Sequence, residues 1–401
     1  MRIVICSISS ALGGMERRIE AETKLLTRLG HEVFVASSRF HGLAQWKTDI
    51  KTAGGKYIYW RPYKFIERQH LAAPFRWLAR LSIPMLRYYK IDLAHIALPW
   101  NFFGISLAYV LSAARIPFVM GVHCKLDSKT LPEKSLPYAK QALRSLKGVY
   151  AVSAPVKESF VRLYQDLIPA AIPIDVIHNG INTERFQPDA ATRQTVRQRL
   201  GFTDNHFVIL FCGRLDAAKR PALALNAFAE FVAKHPQGRL LVVGDGPEMA
   251  ALQARIDALK LQDKVSLSGQ VADTAPYYQA SDCYISTSGQ IEGYSLTTAE
   301  ALASGIPAIV PNDDVFTAVY GAATAVQRCN PADLAEWCQA LLAVAALDAT
   351  ARQALSQTAR TFAKEHLATE VMNQKLTLFY ESICSKLDDK RLGDKAAYEK
   401  S

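Results

Sequence analysis

The chain has no Cys-x-x-Cys pair, and its seven cysteines (Cys6, Cys124, Cys212, Cys283, Cys329, Cys338, Cys384) are scattered through mostly apolar runs. An odd, unclustered set argues against a disulfide framework and a zinc cluster, and for a reducing compartment. Asp-x-Asp is absent too, so no carboxylate pair is spaced to hold Mg²⁺. There is no phosphate-binding P-loop, no nucleophilic triad, no fixed-period repeat and no low-complexity segment. Long apolar runs are scarce. The opening MRIVICSISSALGG meets charge too soon for a secretory signal and reads as a first strand. The one long uncharged run, the 19 residues Ile96 to Ala114, is interrupted by Pro99, Asn101 and Gly104. Strand, loop and helix explain it better than a membrane span.

What is present is an ordinary globular composition, half hydrophobic and about a fifth charged, in 401 residues. That is length enough for two domains with full cores. The net charge of +10 is uneven: residues 1–180 hold 25 Lys and Arg against 12 Asp and Glu, and the remainder 22 against 25. All the positive excess therefore lies in the first half, which suits an anionic substrate, an acidic membrane surface or nucleic acid.

In the first half, short apolar runs alternate with helical patterns. RIVICSI, the amphipathic stretch Glu16 to Leu29 and HEVFVAS make a strand–helix–strand unit whose turn holds Gly13-Gly14. IDLAHIAL, IPFVMGVH, GVYAVS and IDVIHNG fit further parallel strands, the pattern of a doubly wound sheet. HNGINTERFQP and the polar helical stretch to Leu200 look like a domain connection. A second alternation follows: HFVILFCG, RLLVVGDG, KVSLSG, DCYISTS and IPAIVP. Two doubly wound sheets in tandem predict a cleft between them, with ligands at the carboxyl ends of strands. The predicted boundaries are a first domain over 1–185, joined by a crossover helix at 369–390, a second over 200–368, and a flexible basic tail at 391–401. The segment Trp60 to Lys90 interleaves aromatics (Trp60, Tyr63, Phe65, Phe75, Trp77, Tyr88, Tyr89) with cations (Arg61, Lys64, Arg68, Arg76, Arg80, Arg87, Lys90). Such a surface can lie in a lipid headgroup layer, or it can be a helix with a solvated basic face and core aromatics.

The stretch Ser288 to Pro311, SGQIEGYSLTTAEALASGIPAIVP, organises the second half. It places Glu292 in a glycine-containing loop and Glu300 early in a helix that should end at Gly305, with IPAIVP a buried strand. Ser295, Thr297 and Thr298 are capping residue types, and Glu300 suits the helix dipole. A helix N-terminus beside exposed N–H groups can bind an anion, and two nearby acids can hold a polyol. The combination suggests a ligand that is part phosphate, part sugar; spacing alone fits a solvated loop and an ordinary capped helix equally well. Arg214 follows a strand directly, with Lys219 five residues on. A guanidinium fork and a point charge suit a diphosphate leaving group, and a solvated RLDAAKR loop is the plainer alternative. His123 ends the strand IPFVMGVH and can donate to a sugar hydroxyl, although a lone histidine is more often structural, as is His95. Gly13-Gly14 and the GDGPE turn at Gly244 permit close backbone approach and are weak signals alone.

Taken together, these motifs resemble the retaining nucleotide-sugar glycosyltransferases of family 4, which have the GT-B fold. The elements are GGMER at Gly13, Asp92-x-x-His95, VMGVH ending at His123, HNGIN with Phe186, GRLDAAK, VVGDGPE, SGQV and EGYSLTTAEALASGIPAIV, so the resemblance covers nearly the whole chain. It implies two Rossmann-like domains, with a C-terminal helix packing back on the first. Arg214 and Lys219 would hold the donor's diphosphate, and Glu292 would contact the transferred sugar. The N–H groups of Gly293, Tyr294, Ser295 and Leu296 would meet sugar and phosphate oxygens, and Glu300 the ribose. Gly13 and Gly14 would pass close to the diphosphate, Gln270 and Val271 would meet the base, and His123 would line the sugar and acceptor side. Tyr294-Ser295 replaces the family's frequent Phe-Gly, and Thr297 its Pro, which leaves the donor open.

The resemblance implies sugar transfer from a nucleotide diphosphate to an acceptor hydroxyl with retained configuration. It implies no cofactor and no metal, cationic side chains and a helix terminus replacing Mg²⁺. The partners expected are a nucleotide sugar, a membrane-linked or anionic saccharide acceptor of cell-surface polysaccharide or lipopolysaccharide synthesis, and the cytoplasmic face of the inner membrane through residues 60–90. Nucleic acid is not expected. The alternatives are a nucleotide-sugar epimerase of the same fold, a non-catalytic binding module, and transfer to a small soluble acceptor.

Overall fold

A computed structural model of the chain describes residues 1–8, 13–60, 63–289 and 292–398, with side chains to residue 387. Ala11 and Leu12 of the first turn, Arg61 of the basic segment, Gln290 and Ile291, and the last three residues of the tail lie outside the described residues. The chain divides into two compact units, Met1–His178 with Met372–Ser401, and Asn179–Val371.

The first unit is built on seven parallel strands: β1 Arg2–Ser7, β2 Glu32–Ser37, β3 Lys56–Tyr59, β4 Leu93–Leu98, β5 Phe118–Val122, β6 Leu146–Ala151 and β7 Ile174–Val176. Their β-branched, nearly uninterrupted apolar runs suit strands covered on both faces. The order β3-β2-β1-β4-β5-β6-β7 turns back at β1, where the sheet grows in both directions. Ile3, Ile5, Val33, Val35 and Leu93 pack with Ile19 and Leu26 of helix Gly14–Arg28 into one core. The strands expected from sequence are present; β3 was not expected, its four residues KYIY lying just before the basic-aromatic segment. The long uncharged run resolves into the end of β4, a turn with Gly104 at φ 102°, and the buried helix Ile105–Ala113. No single helix among the described residues is long and apolar enough to cross a membrane.

The second unit holds six parallel strands: β8 Phe207–Cys212, β9 Gly238–Val243, β10 Val265–Leu267, β11 Cys283–Ile285, β12 Ala308–Pro311 and β13 Val326–Cys329, ordered β10-β9-β8-β11-β12-β13. Strand order reverses between β8 and β11, the position where open α/β sheets bind ligands. The polar helix Ala190–Arg199 is capped by Asp189 and belongs to this unit; its Arg193 and Arg197 both reach the buried Asp282.

The last helix, Thr369–Tyr398, leaves the second unit and packs on the first. Met372, Leu376, Phe379, Tyr380 and Ile383 recur at helical spacing and join the first unit's core. Each such buried side chain contributes about 1.5–3 kcal/mol. Gly148 on β6 makes room: a Cβ there would stand 2.9 Å from Ile383 Cδ1.

Candidate active site

In the second unit the site is assembled at the carboxyl ends of β8, β9 and β11. Gly213 follows β8 at φ 148°, and the turn beyond it carries Arg214. The GDGPE turn after β9 lies directly against this turn. A Cβ on Gly244 would meet Gly213 O at 1.9 Å, and one on Gly246 would meet Leu215 O at 2.3 Å. Leu215 N donates to Asp245 O and Glu248 N to Leu215 O, each at 2.9 Å. The two glycines therefore seat the loop that presents Arg214, a role that the sequence left as a weak turn signal.

Arg214 is exposed and bonded to Asp216 at 2.6 Å. Lys219 lies farther along the same loop, and its ammonium hydrogen-bonds the Glu292 carboxylate, so the structure brings these two predicted residues together across 73 positions of sequence. Arg220 fixes the opposite loop by donating to Thr287 O at 2.6 Å and Ser288 O at 2.8 Å. Burial would raise the Glu292 carboxyl, but Lys219 and hydrogen bonds from Ser288 and Ser295 outweigh it and hold the acid below its ordinary value. No hydrogen bond or ion pair joins Arg214 to Lys219 or Glu292 among the described residues.

The helix Leu296–Ala303 starts at Ser295, which sits in the left-handed region at φ 62°. Its hydroxyl makes no cap; it meets Thr298 Oγ1 at 2.8 Å, and Tyr320 Oη donates to the carbonyls of Tyr294 (2.8 Å) and Ser295 (2.6 Å). The first-turn N–H groups, which have no partner inside a helix, are thus left without a side-chain cap. Glu300 falls in the second turn, too far along for the dipole role expected of it, and its carboxylate accepts from Tyr278 Oη at 2.9 Å. Gly305 ends the helix at φ 72° as expected. Gln270 and Val271 lie in the loop after β10, Gln270 exposed and Val271 half-buried. Gly293, Tyr294 and Ser295 are buried and Leu296 is half-buried.

In the first unit, Gly13 and Gly14 are exposed at the start of helix Gly14–Arg28, and the buried Glu16 of that turn accepts from Ser7 Oγ at 3.3 Å. His123 follows β5, 8% exposed, with neither ring nitrogen hydrogen-bonded among the described residues and the Tyr150 ring edge-on at 6.1 Å. Burial chiefly, and the positive Arg18 next, lower it to about 3, so the imidazole is neutral. Behind it lies a cluster that the sequence did not reveal. Arg18 bonds Glu22 at 2.7 Å, Glu22 lies 3.0 Å from His95 Nδ1, and Tyr380 Oη is 3.2 Å from that same nitrogen. Tyr150 Oη also hydrogen-bonds Glu22. His95 is thus a core residue, as its lone-histidine reading favoured. The one sequence signal was Arg18 and Glu22, a charged i,i+4 pair on the same helical face as Ile19 and Leu26.

Against this geometry stand the comparisons with known proteins. Residues 12–185 match the family model "Glycosyltransferase Family 4" and residues 192–361 match "Glycosyl transferases group 1". The chain therefore belongs to the family 4-type glycosyltransferases, and its two parallel-sheet units are those of the GT-B fold. Among curated relatives it is 30% identical over 252 residues to alpha-monoglucosyldiacylglycerol synthase of Acholeplasma laidlawii, covering 58% of this chain and 62% of that one. It is 28% identical over 288 residues to D-inositol 3-phosphate glycosyltransferase of a Nocardioides species, covering 64% and 61%. The chain thus spans about three-fifths of the length of these two relatives. Among solved structures, Anabaena HepE in complex with UDP superposes with a TM-score of 0.78 at 20% identity, covering 95% of this chain and 100% of that one.

Proposed function

We propose that the protein is a retaining glycosyltransferase that moves a sugar from a nucleoside-diphosphate sugar to a hydroxyl of a membrane-linked or anionic saccharide acceptor. The observation that carries this reading is the second unit's loop pair: Lys219 locked to Glu292, Arg214 on a glycine-seated turn, and an uncapped helix N-terminus between Glu292 and Glu300. As the glycosyl–phosphate bond breaks, the sugar becomes oxocarbenium-like and the departing diphosphate gains charge. Arg214, Lys219 and the first-turn N–H groups of Leu296–Ala303 receive that charge, which is the preorganised stabilisation that lowers such barriers most. The acceptor hydroxyl attacks the same face, and its proton passes to the departing phosphate oxygen. Glu292, held ionised by Lys219, accepts hydrogen bonds from the transferred sugar, and Glu300 from the ribose. Gln270 and Val271 meet the base. In the first unit taken by itself, the exposed Gly13-Gly14 turn suits close backbone approach to a phosphate, and the neutral His123 suits donation to a hydroxyl. No metal takes part in this scheme, since side-chain cations do its work.

The acceptor reading draws on the basic first unit and on the two curated relatives, one named for a glucosylated diacylglycerol and the other for an inositol phosphate. A role in cell-surface polysaccharide or lipopolysaccharide synthesis, on the cytoplasmic face of the membrane, follows from that reading. The inositol phosphate relative equally favours a small soluble acceptor as the second reading. A panel of nucleotide sugars, UDP-sugars first, tests the proposal: one donor should raise the melting temperature and yield an α-linked product from an α-linked donor, undiminished by EDTA. An inverted product, loss of turnover in EDTA, or epimerised donor without any acceptor would each overturn the corresponding part of it.

A further inference from the structure

A cavity of about 950 Å³ in the first unit opens at the carboxyl ends of β1, β2 and β3, beside the point where strand order reverses. That volume is in the range of small-molecule sites. Its lining divides by chemistry. Arg39, from the end of β2, and Lys64 and Arg68, from the turns that follow β3, supply positive charge. Leu78, Leu81 and Met85, from the helices Ala73–Arg80 and Ile83–Tyr88 and the turn between them, supply apolar surface.

None of the three cations makes an ion pair or hydrogen bond among the described residues. Each lies near an aromatic ring instead: Arg39 5.5 Å from Tyr59, Lys64 5.1 Å from Phe103 and Arg68 5.9 Å from Tyr63. The one acid among the described lining residues, Glu67, is already engaged. It accepts from the backbone N–H groups of Gly104 and Ser106, each at 3.2 Å, and from the Ser106 hydroxyl, closing the start of helix Ile105–Ala113. Among its described lining residues the cavity is therefore electropositive with no acid free to neutralise it, which is the arrangement that recognises phosphate. The apolar lining continues to the surface: Leu78 is 39% and Leu81 51% exposed, next to Trp77 at 66%. A smaller recess on helix Ala73–Arg80 carries Arg76 and Arg80, but these are bonded to Tyr138 and Tyr109 and are not available in the same way.

We infer that this cavity receives the phosphate-bearing headgroup of a lipid acceptor, held by Arg39, Lys64 and Arg68, with the acyl chains leaving over Leu78 and Leu81. The word acceptor rests on the glycosyltransferase reading; the binding of an anionic lipid head does not.

The test is a calorimetric titration of the full chain with dihexanoyl phosphatidylglycerol below its micelle concentration, with dihexanoylglycerol and inorganic phosphate alongside. The wild-type protein should bind the phospholipid at least tenfold more tightly than either. The triple variant R39Q/K64Q/R68Q, with its melting temperature and far-UV spectrum checked, should lose about a hundredfold in phospholipid affinity, the scale of charge-assisted contacts. L78N/L81N should weaken the phospholipid and leave phosphate unchanged. Equal phospholipid binding by the triple variant, or phosphate binding as tight as the phospholipid, would overturn the inference. So would equal binding of the uncharged dihexanoylglycerol. Titration of the same samples with nucleotide sugar separates the two claims: phospholipid bound without donor sinks the transferase reading alone, and donor bound without phospholipid sinks this one alone.

Discussion

Glu292 and His123 show how one physical term, burial, ends in opposite outcomes. Burial pushes the Glu292 carboxyl toward neutrality, yet Lys219 and two hydrogen bonds reverse the push and keep it ionised. His123 has only Glu22 to favour its charge, so burial and Arg18 win and the ring stays neutral down to about pH 3. The consequence for stability has a definite sign. An unfolded histidine takes up a proton near its ordinary 6.5, and the folded one does not until about 3. The unfolded state therefore gains protons first as pH falls, and folding stability declines from about pH 6.5 downward. Glu22, whose folded carboxyl is depressed, adds its own loss as pH falls through the carboxylate range. His123→Gln removes the histidine part alone. Urea midpoints measured from pH 7.5 to pH 5 should fall less steeply in the variant than in the wild type; parallel slopes would contradict the buried, neutral imidazole. At this scale the sequence singled out Lys219 and Glu292 by their motifs, and the fold brings the two together. The sequence was silent where meaning came from distant partners, as in the Glu22 cluster, which joins one helix, two strands and the last helix.

Among the elements, the helix Leu296–Ala303 and the strand after it were readable from capping residues and Gly305. Only the structure shows that Ser295 starts the helix without capping it and that Tyr320 holds the preceding carbonyls. The basic-aromatic segment was readable in composition alone. Its aromatics divide: Trp60 and Phe65 are core residues, Trp60 tied to Ser82 at 2.9 Å, while Trp77 and Tyr88 are 66% and 79% exposed. Its cations divide as well, since Arg76 and Arg80 are bonded to tyrosines. Neither split follows from spacing, because the segment is broken into two short helices whose facing is set by what they pack on. If this surface lies on a membrane, the exposed aromatics anchor it, as amphipathic rings do at the headgroup level. Co-sedimentation with vesicles containing phosphatidylglycerol should drop about fivefold or more in W77S/Y88S, a loss of about 1 kcal/mol or more in partition free energy. Unchanged partition would place the membrane contact elsewhere or remove it.

For the whole molecule, the tandem of doubly wound sheets was legible because parallel strands buried on both faces leave uninterrupted apolar runs. The two strands that escaped, β3 and β13, carry Lys56, Gln327 and Arg328, which break that run. The charge asymmetry was also plain in the sequence, but where it acts was not. The three free cations of the first unit's cavity come from residues separated by up to 29 positions and meet only in the fold. The last helix seals that unit with five side chains at helical spacing, so residues at the far end of the sequence complete a core begun at Ile3. The second unit carries the candidate site at its own switch point, with the Lys219 ammonium placed against the Glu292 carboxylate. The measurement that tests this most directly is acceptor-dependent release of free nucleoside diphosphate from the preferred nucleotide sugar by wild type and by Lys219→Ala. The account predicts turnover in the wild type and a loss of roughly 10²–10³-fold in a variant that keeps its secondary structure. Turnover near the wild-type rate in Lys219→Ala would contradict it.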